Sequence, residues 1–79
     1  MSRKRFPAKN PRYEVIVGKD HAVGLFIQVF DEPDEEGYEV LIVDEDQLFT
    51  GLTPERAWEV LQEYAQVQDL SWEMIQKTL

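Results

Sequence analysis

Tyr13 to Gly18 (YEVIVG) alternates along its length: Tyr13, Val15 and Val17 fall on one side, Glu14 and Ile16 on the other. With its β-branched content this predicts a first strand. Gly18, Lys19 and Asp20 supply turn chemistry, and His21 to Val23 lead into a second strand over Gly24 to Asp31 (GLFIQVFD), so the two runs predict a hairpin. In the second run Leu25, Ile27 and Val29 oppose Phe26, Gln28 and Phe30, which makes both faces of the pleat apolar. The following DEPDEEG carries a proline, a glycine and five acids, and reads as an exposed connection. A third strand is expected over Tyr38 to Val43, with Tyr38, Val40 and Ile42 opposing Glu39, Leu41 and Val43. The connection suits a hairpin better than a helical crossover, so the sheet order should be one, two, three, all antiparallel. Gln47 to Phe49 reads either as a short extra strand or as a turn that packs Leu48 and Phe49.

The period then changes. Thr53-Pro54-Glu55 announces a helix: threonine caps free amides, proline suits the first turn, and glutamate complements the dipole. From Pro54 to Val67, residues Ala57, Trp58, Leu61, Tyr64 and Ala65 form an apolar stripe opposite Glu55, Glu59, Gln62, Glu63 and Gln66. A second start at Ser71 places Trp72, Ile75 and Leu79 on one side of SWEMIQKTL. Nine residues are marginal as an isolated helix, so this segment must dock on the bare sheet face, on the first helix or on a second copy. The expected fold is α+β: an antiparallel meander of three or four strands packed against one amphipathic helix, ended by a short C-terminal helix. Residues 13–79 form the single domain. Residues 1–12, with two prolines, five cations and little to bury, are expected to be a flexible basic arm.

One helix cannot cover two apolar faces. If Leu25, Ile27, Val29, Tyr38, Val40 and Ile42 meet it, then Phe26, Phe30, Leu41, Val43 and Ile16 are left over, and the opposite assignment leaves the aliphatic set bare; either remainder amounts to about 1.5–3 kcal/mol for each side chain that burial would stabilise. The expected interaction surface is therefore Phe26, Phe30, Leu41 and Val43 on the sheet, with Trp72 and Ile75 from the last helix. It implies a small non-enzymatic interaction or regulatory module with an unknown protein partner, a homodimer being the first arrangement to test.

Composition narrows the setting. The 79 residues contain no cysteine, which removes disulfides, thiolate nucleophiles and cysteine-ligated zinc, and fits a reducing interior. No apolar run approaches the ~20 residues a bilayer needs, and the basic opening MSRKRF leads into PAKNPR rather than a signal core. A cytoplasmic protein with no membrane partner is expected. The net charge of −8 divides sharply: five of the eight cations lie in the first twelve residues and all sixteen acids follow, leaving +5 on the arm and −13 on the rest. So negative a body repels nucleic-acid phosphates, leaving the arm as the one route to a nucleic acid. It also suggests a second function, that of an acidic decoy or inhibitor occupying the basic groove of a nucleic-acid-handling protein.

Candidate chemistry adds little. His21 is the sole histidine, and although it adjoins Asp20, neighbours on an extended chain point apart and no nucleophile is near. The acids at 31–36 and 44–46 offer hard oxygen ligands, but an EF-hand register begun at Asp44 fails at Leu48 and Phe49. The four glycines are scattered and form neither a P-loop nor a dinucleotide fingerprint. No catalytic residue, cofactor site or metal site is assigned.

The segment Tyr13-Glu14-Val15-Ile16-Val17-Gly18-Lys19-Asp20, continuing through Gly24, Phe26, Gln28, Val29 and Asp31, resembles a group of short uncharacterised bacterial proteins that share a Y-E-V-x-V-G-x-D opening hairpin. It covers about a quarter of the chain. The resemblance implies the hairpin and brings no activity, cofactor or site residue.

Overall fold

Cross-strand pairing decides which side chains share a face. In the computed structural model, which describes residues 2–79, the elements are β1 (Ser2–Phe6), β2 (Glu14–Asp20), β3 (Gly24–Asp31), β4 (Val40–Asp46), α1 (Pro54–Tyr64) and α2 (Trp72–Gln76). The strands form one antiparallel meander in the order β1-β2-β3-β4. This is an α+β fold. Val15, Val17, Leu25, Ile27 and Val29 point to one side, where they form the core with Ala57, Val60 and Leu61 of α1 and Ile75 of α2. The molecule is only 19 Å through its thinnest dimension. That accommodates the sheet and one layer of helix, since packed layers lie about 10 Å apart.

The helix begins as its sequence dictates. Thr53 Oγ accepts the Arg56 N–H at 3.2 Å, Pro54 opens the first turn and Glu55 lies near the positive end of the dipole. It stops at Tyr64, short of the expected Val67, because Ala65 is extended and bridges Ala8. Lys9 N–H donates to the Tyr64 carbonyl at 2.9 Å and Gln66 N–H to the Pro7 carbonyl at 2.8 Å, so the chain leaving β1 satisfies groups at the helix end. Helix α2 is capped by Ser71, whose Oγ accepts the Met74 N–H at 3.3 Å. It docks on the same core as α1, with Ile75 buried and Trp72 and Leu79 packed against the cluster. It does not cover the bare sheet face, one of the three docking places the sequence leaves open, but joins α1 in the core on the opposite side of the sheet.

Three expectations are corrected. Residues 2–6 are not a flexible arm: they pair with β2 along their whole length, and Phe6 is 4% exposed in the core. Basic composition concealed the strand, because Arg3, Lys4 and Arg5 occupy an edge where charge is tolerated and only Phe6 needs burial. This, rather than Gln47 to Phe49, is the fourth strand. Residues 47–50 form a turn in which Leu48 and Phe49 are exposed, not packed. The strand expected at Tyr38 to Val43 lies two to three residues later and includes three acids, while Tyr38 is left exposed.

The β2–β3 turn depends on Gly24, whose φ of +75° is a left-handed conformation that suits glycine. Asp20 caps the same turn by accepting the Ala22 N–H at 2.6 Å. Gly18 answers a different need. A Cβ there would lie 2.5 Å from Phe26 Cζ and also meet the Ser2 carbonyl oxygen, so the bare backbone lets the ring lie against β2. Gly18→Ala is expected to destabilise the fold by about 1–3 kcal/mol through this overpacking, read as a lower urea midpoint at unchanged slope. An unchanged midpoint would mean that ring and strand do not meet this closely.

Candidate functional site

Side chains directly opposite one another in an antiparallel sheet share a face, so pairs extend into rows across all four strands. On the side away from the helices, one row reads Arg3, Gly18, Phe26, Asp46 and the next Arg5, Ile16, Gln28, Asp44. A third contains Glu14, Phe30 and Leu41. This face thus has a basic margin on β1 and an acidic margin on β4, which also carries Leu41; between them lie Ile16, Phe26 and Phe30 with the polar Gln28 and Glu14, and the Glu14 carboxylate lies 3.1 Å from the Arg5 guanidinium. Ile16 is already covered by its neighbours, whereas Phe26 and Phe30 are half-buried and Leu41 is 43% exposed. A depression of about 280 Å³ on this side is lined by Arg3, Phe26, Gln28, Asp44 and Asp46, among others.

The six expected surface residues do not stay together. Phe26, Phe30 and Leu41 share the helix-free face. Val43 does not: it pairs with Val29 and packs against the core. The cause is a β-bulge, which shifts the register between Val29 and Phe30 so that Phe30 faces Leu41 while Val29 faces Val43. One extra residue on β4 reverses the alternation, and Leu41 and Val43 end on opposite sides despite their spacing of two. Ile75 is 2% exposed and belongs to the core, and Trp72 is half-buried against it. The face instead includes Arg3, Arg5, Asp44 and Asp46, which no local pattern in the chain assigns to it. Phe6 was the available signal, as the one large apolar residue in an otherwise basic run.

The acids are dispersed by the same alternation. Asp44 lies 3.4 Å from Gln28 Nε2 on the helix-free face. Glu45, on the opposite side, receives Arg56 of α1 in a bidentate pair at 3.0–3.2 Å, and Arg56 also reaches Glu59 at 2.8 Å. Asp46 accepts the Phe49 N–H at 2.6 Å and so organises the turn that follows. Asp34 accepts from Glu36 and Tyr38 in the β3–β4 connection. At the end of β3 the Arg12 guanidinium grips Asp31 at 2.6 and 3.0 Å; its hydrogen bonds hold that carboxyl below the usual carboxylate range, against the opposing effect of desolvation. Such exposed pairs locate loops more than they stabilise the fold. Among the described residues, no three His, Cys, Asp or Glu side chains converge as metal ligands. His21 lies exposed in the β2–β3 turn. None of the helices among the described residues is long and apolar enough to cross a membrane.

The charge division therefore runs across one sheet, not between a loose arm and a body: three cations on β1 at one edge, three acids on β4 at the other. Beyond the sheet face, Tyr38, Val40 and Ile42 are exposed around the start of β4, and Leu48 and Phe49 just past its end, with Phe49 78% exposed. Compared with protein-family models, with curated proteins and with solved structures, the chain matches none.

Proposed function

We propose that this chain is a small non-enzymatic protein-interaction module of the cytoplasm, binding through the helix-free face of its sheet and capable of self-association. The observation that supports the reading is the one-sided helical cover. Both helices lie over Val15, Val17, Leu25, Ile27 and Val29, while Phe26 and Phe30 stand on the other side between charged margins, with Leu41 beside Phe30 on β4. An apolar centre with a polar, charged rim is the anatomy of a protein interface. The exposed apolar residues of β4 extend that surface to a sheet edge, where unpaired backbone groups add a second means of attachment.

The test places a photo-crosslinking amino acid at Leu41 or Phe30, with Glu63 on the exposed side of α1 as the control, in cells that make the protein. Discrete crosslinked protein species from the sheet positions and none from Glu63 are expected. Equal labelling at all three positions, or none at the two sheet positions, would refute the assignment.

A further inference from the structure

The helix-free face is self-complementary in one orientation. Arg3 and Asp46 end the same row, as do Arg5 and Asp44, and both rows lie on the side of the β-bulge where the register is unbroken. A second copy laid face to face can be related by a two-fold axis along the strands or by one across them. The axis across the strands places β1 on β1 and β4 on β4, stacking cations on cations and acids on acids. The axis along the strands, passing between β2 and β3, places β1 on β4 of the mate at the same level. Arg3 then meets Asp46 and Arg5 meets Asp44, twice over by symmetry. In the centre Gly18 of each copy lies against Phe26 of the other, Ile16 against Gln28 and Glu14 against Phe30, with Leu41 at the β4 margin, and two sheets packed this way keep their strands within about 30° of alignment.

We infer that the occupant of this face is a second copy of the chain, packed sheet to sheet about a two-fold axis parallel to the strands, with the basic margin of each copy on the acidic margin of the other. This rests on the interaction reading above and names its partner. Four strands spaced ~4.8 Å apart and five residues rising ~3.4 Å each give a face of roughly 19 by 17 Å. At roughly 320 Å² per copy this is below the standard size of specific interfaces and in the range of transient contacts, so the dimer is weak and reversible. Its charges lie at the margins, where they set orientation and salt sensitivity.

The test uses the intact chain and sedimentation equilibrium. Arg5→Glu places acid on acid, and Asp44→Arg places cation on cation; each is expected to weaken the dimer about tenfold or more, since like-charge contacts disfavour association. Mixing the two variants restores opposite charges at both margins, and a heterodimer of about the original affinity is expected, itself weakened by salt. Because the chain has no cysteine, orientation can be read separately. Arg5→Cys mixed with Asp44→Cys should join through a thiol crosslinker of ~10 Å reach, the spacing of packed sheets. Arg5→Cys alone should not, its two copies lying roughly 17 Å apart from the same spacings. A strictly monomeric chain at high concentration, variants that dimerise as well as the parent, or a mixture with no recovery would each overturn the inference. If the chain stays monomeric while Leu41 still crosslinks a different protein in cells, the dimer falls and the interaction reading stands. Circular dichroism of each variant separates loss of association from loss of fold.

Discussion

A chain lacking residues 2–12 is expected to unfold. Phe6 sits in the core at 4% exposure, and removing a buried phenylalanine side chain alone costs about 3–5 kcal/mol. A domain of 79 residues has only about 4–12 kcal/mol in total, at 0.05–0.15 per residue. The deletion would also strip the pairing partner from β2 and remove the Pro7 and Lys9 groups that bond to the end of α1. Loss of the far-ultraviolet circular dichroism signal, or aggregation, is the expected outcome. Phe6→Ala in the full chain should retain partial structure with a much lower urea midpoint. A chain beginning at Tyr13 that unfolds cooperatively at the parent's midpoint would show that β1 is dispensable, and the basic margin of the sheet would lose its structural basis.

The two faces of β3 should respond very differently to truncation. Ile27 is fully buried within the core beneath the helices, and Ile27→Ala is expected to cost about 2–5 kcal/mol through lost transfer energy and the cavity left behind. Phe30, three residues away, points to the other side and is only half-buried. Phe30→Ala should cost about 1–2 kcal/mol, in proportion to the smaller apolar area it withdraws from water. Urea unfolding of both variants measures the contrast. Equal losses would mean that the helix-free face is as enclosed as the core, leaving nothing for a partner to cover. The expected asymmetry matters for function, because it makes Phe30 a position at which binding can be perturbed in a folded protein.

Much of the secondary structure could be read along the chain. Thr53-Pro54-Glu55 marked the start of α1, the Ser71 cap marked α2, and alternation marked β2 and β3, because each signal involves residues within a few positions of one another. The limits of that reading were equally local. The end of α1 depends on Pro7 and Lys9, more than fifty residues away, which draw Ala65 and Gln66 out of helical geometry. Leu41 and Val43 looked equivalent because a spacing of two implies a common face; only pairing with Phe30 and Val29 reveals the extra residue between them. Ser2 to Phe6 looked like a solvated tail because a strand at the edge of a sheet can be almost wholly charged.

The amino-acid order by itself determined the α+β class, the antiparallel sequence of strands, the helix starts and the shortage of helical cover for a sheet apolar on both sides. Those properties follow from side-chain period, capping chemistry and composition, which act over one or two turns of chain. Tertiary structure decided that the basic segment is a strand, that α2 joins the core, and that Arg3 and Arg5 share rows with Asp46 and Asp44. Each of those results depends on hydrogen bonds or packing between segments far apart in the chain. Whether a charged residue faces solvent, a bulge or an opposite charge is therefore set by the partner strand and not by its own neighbours.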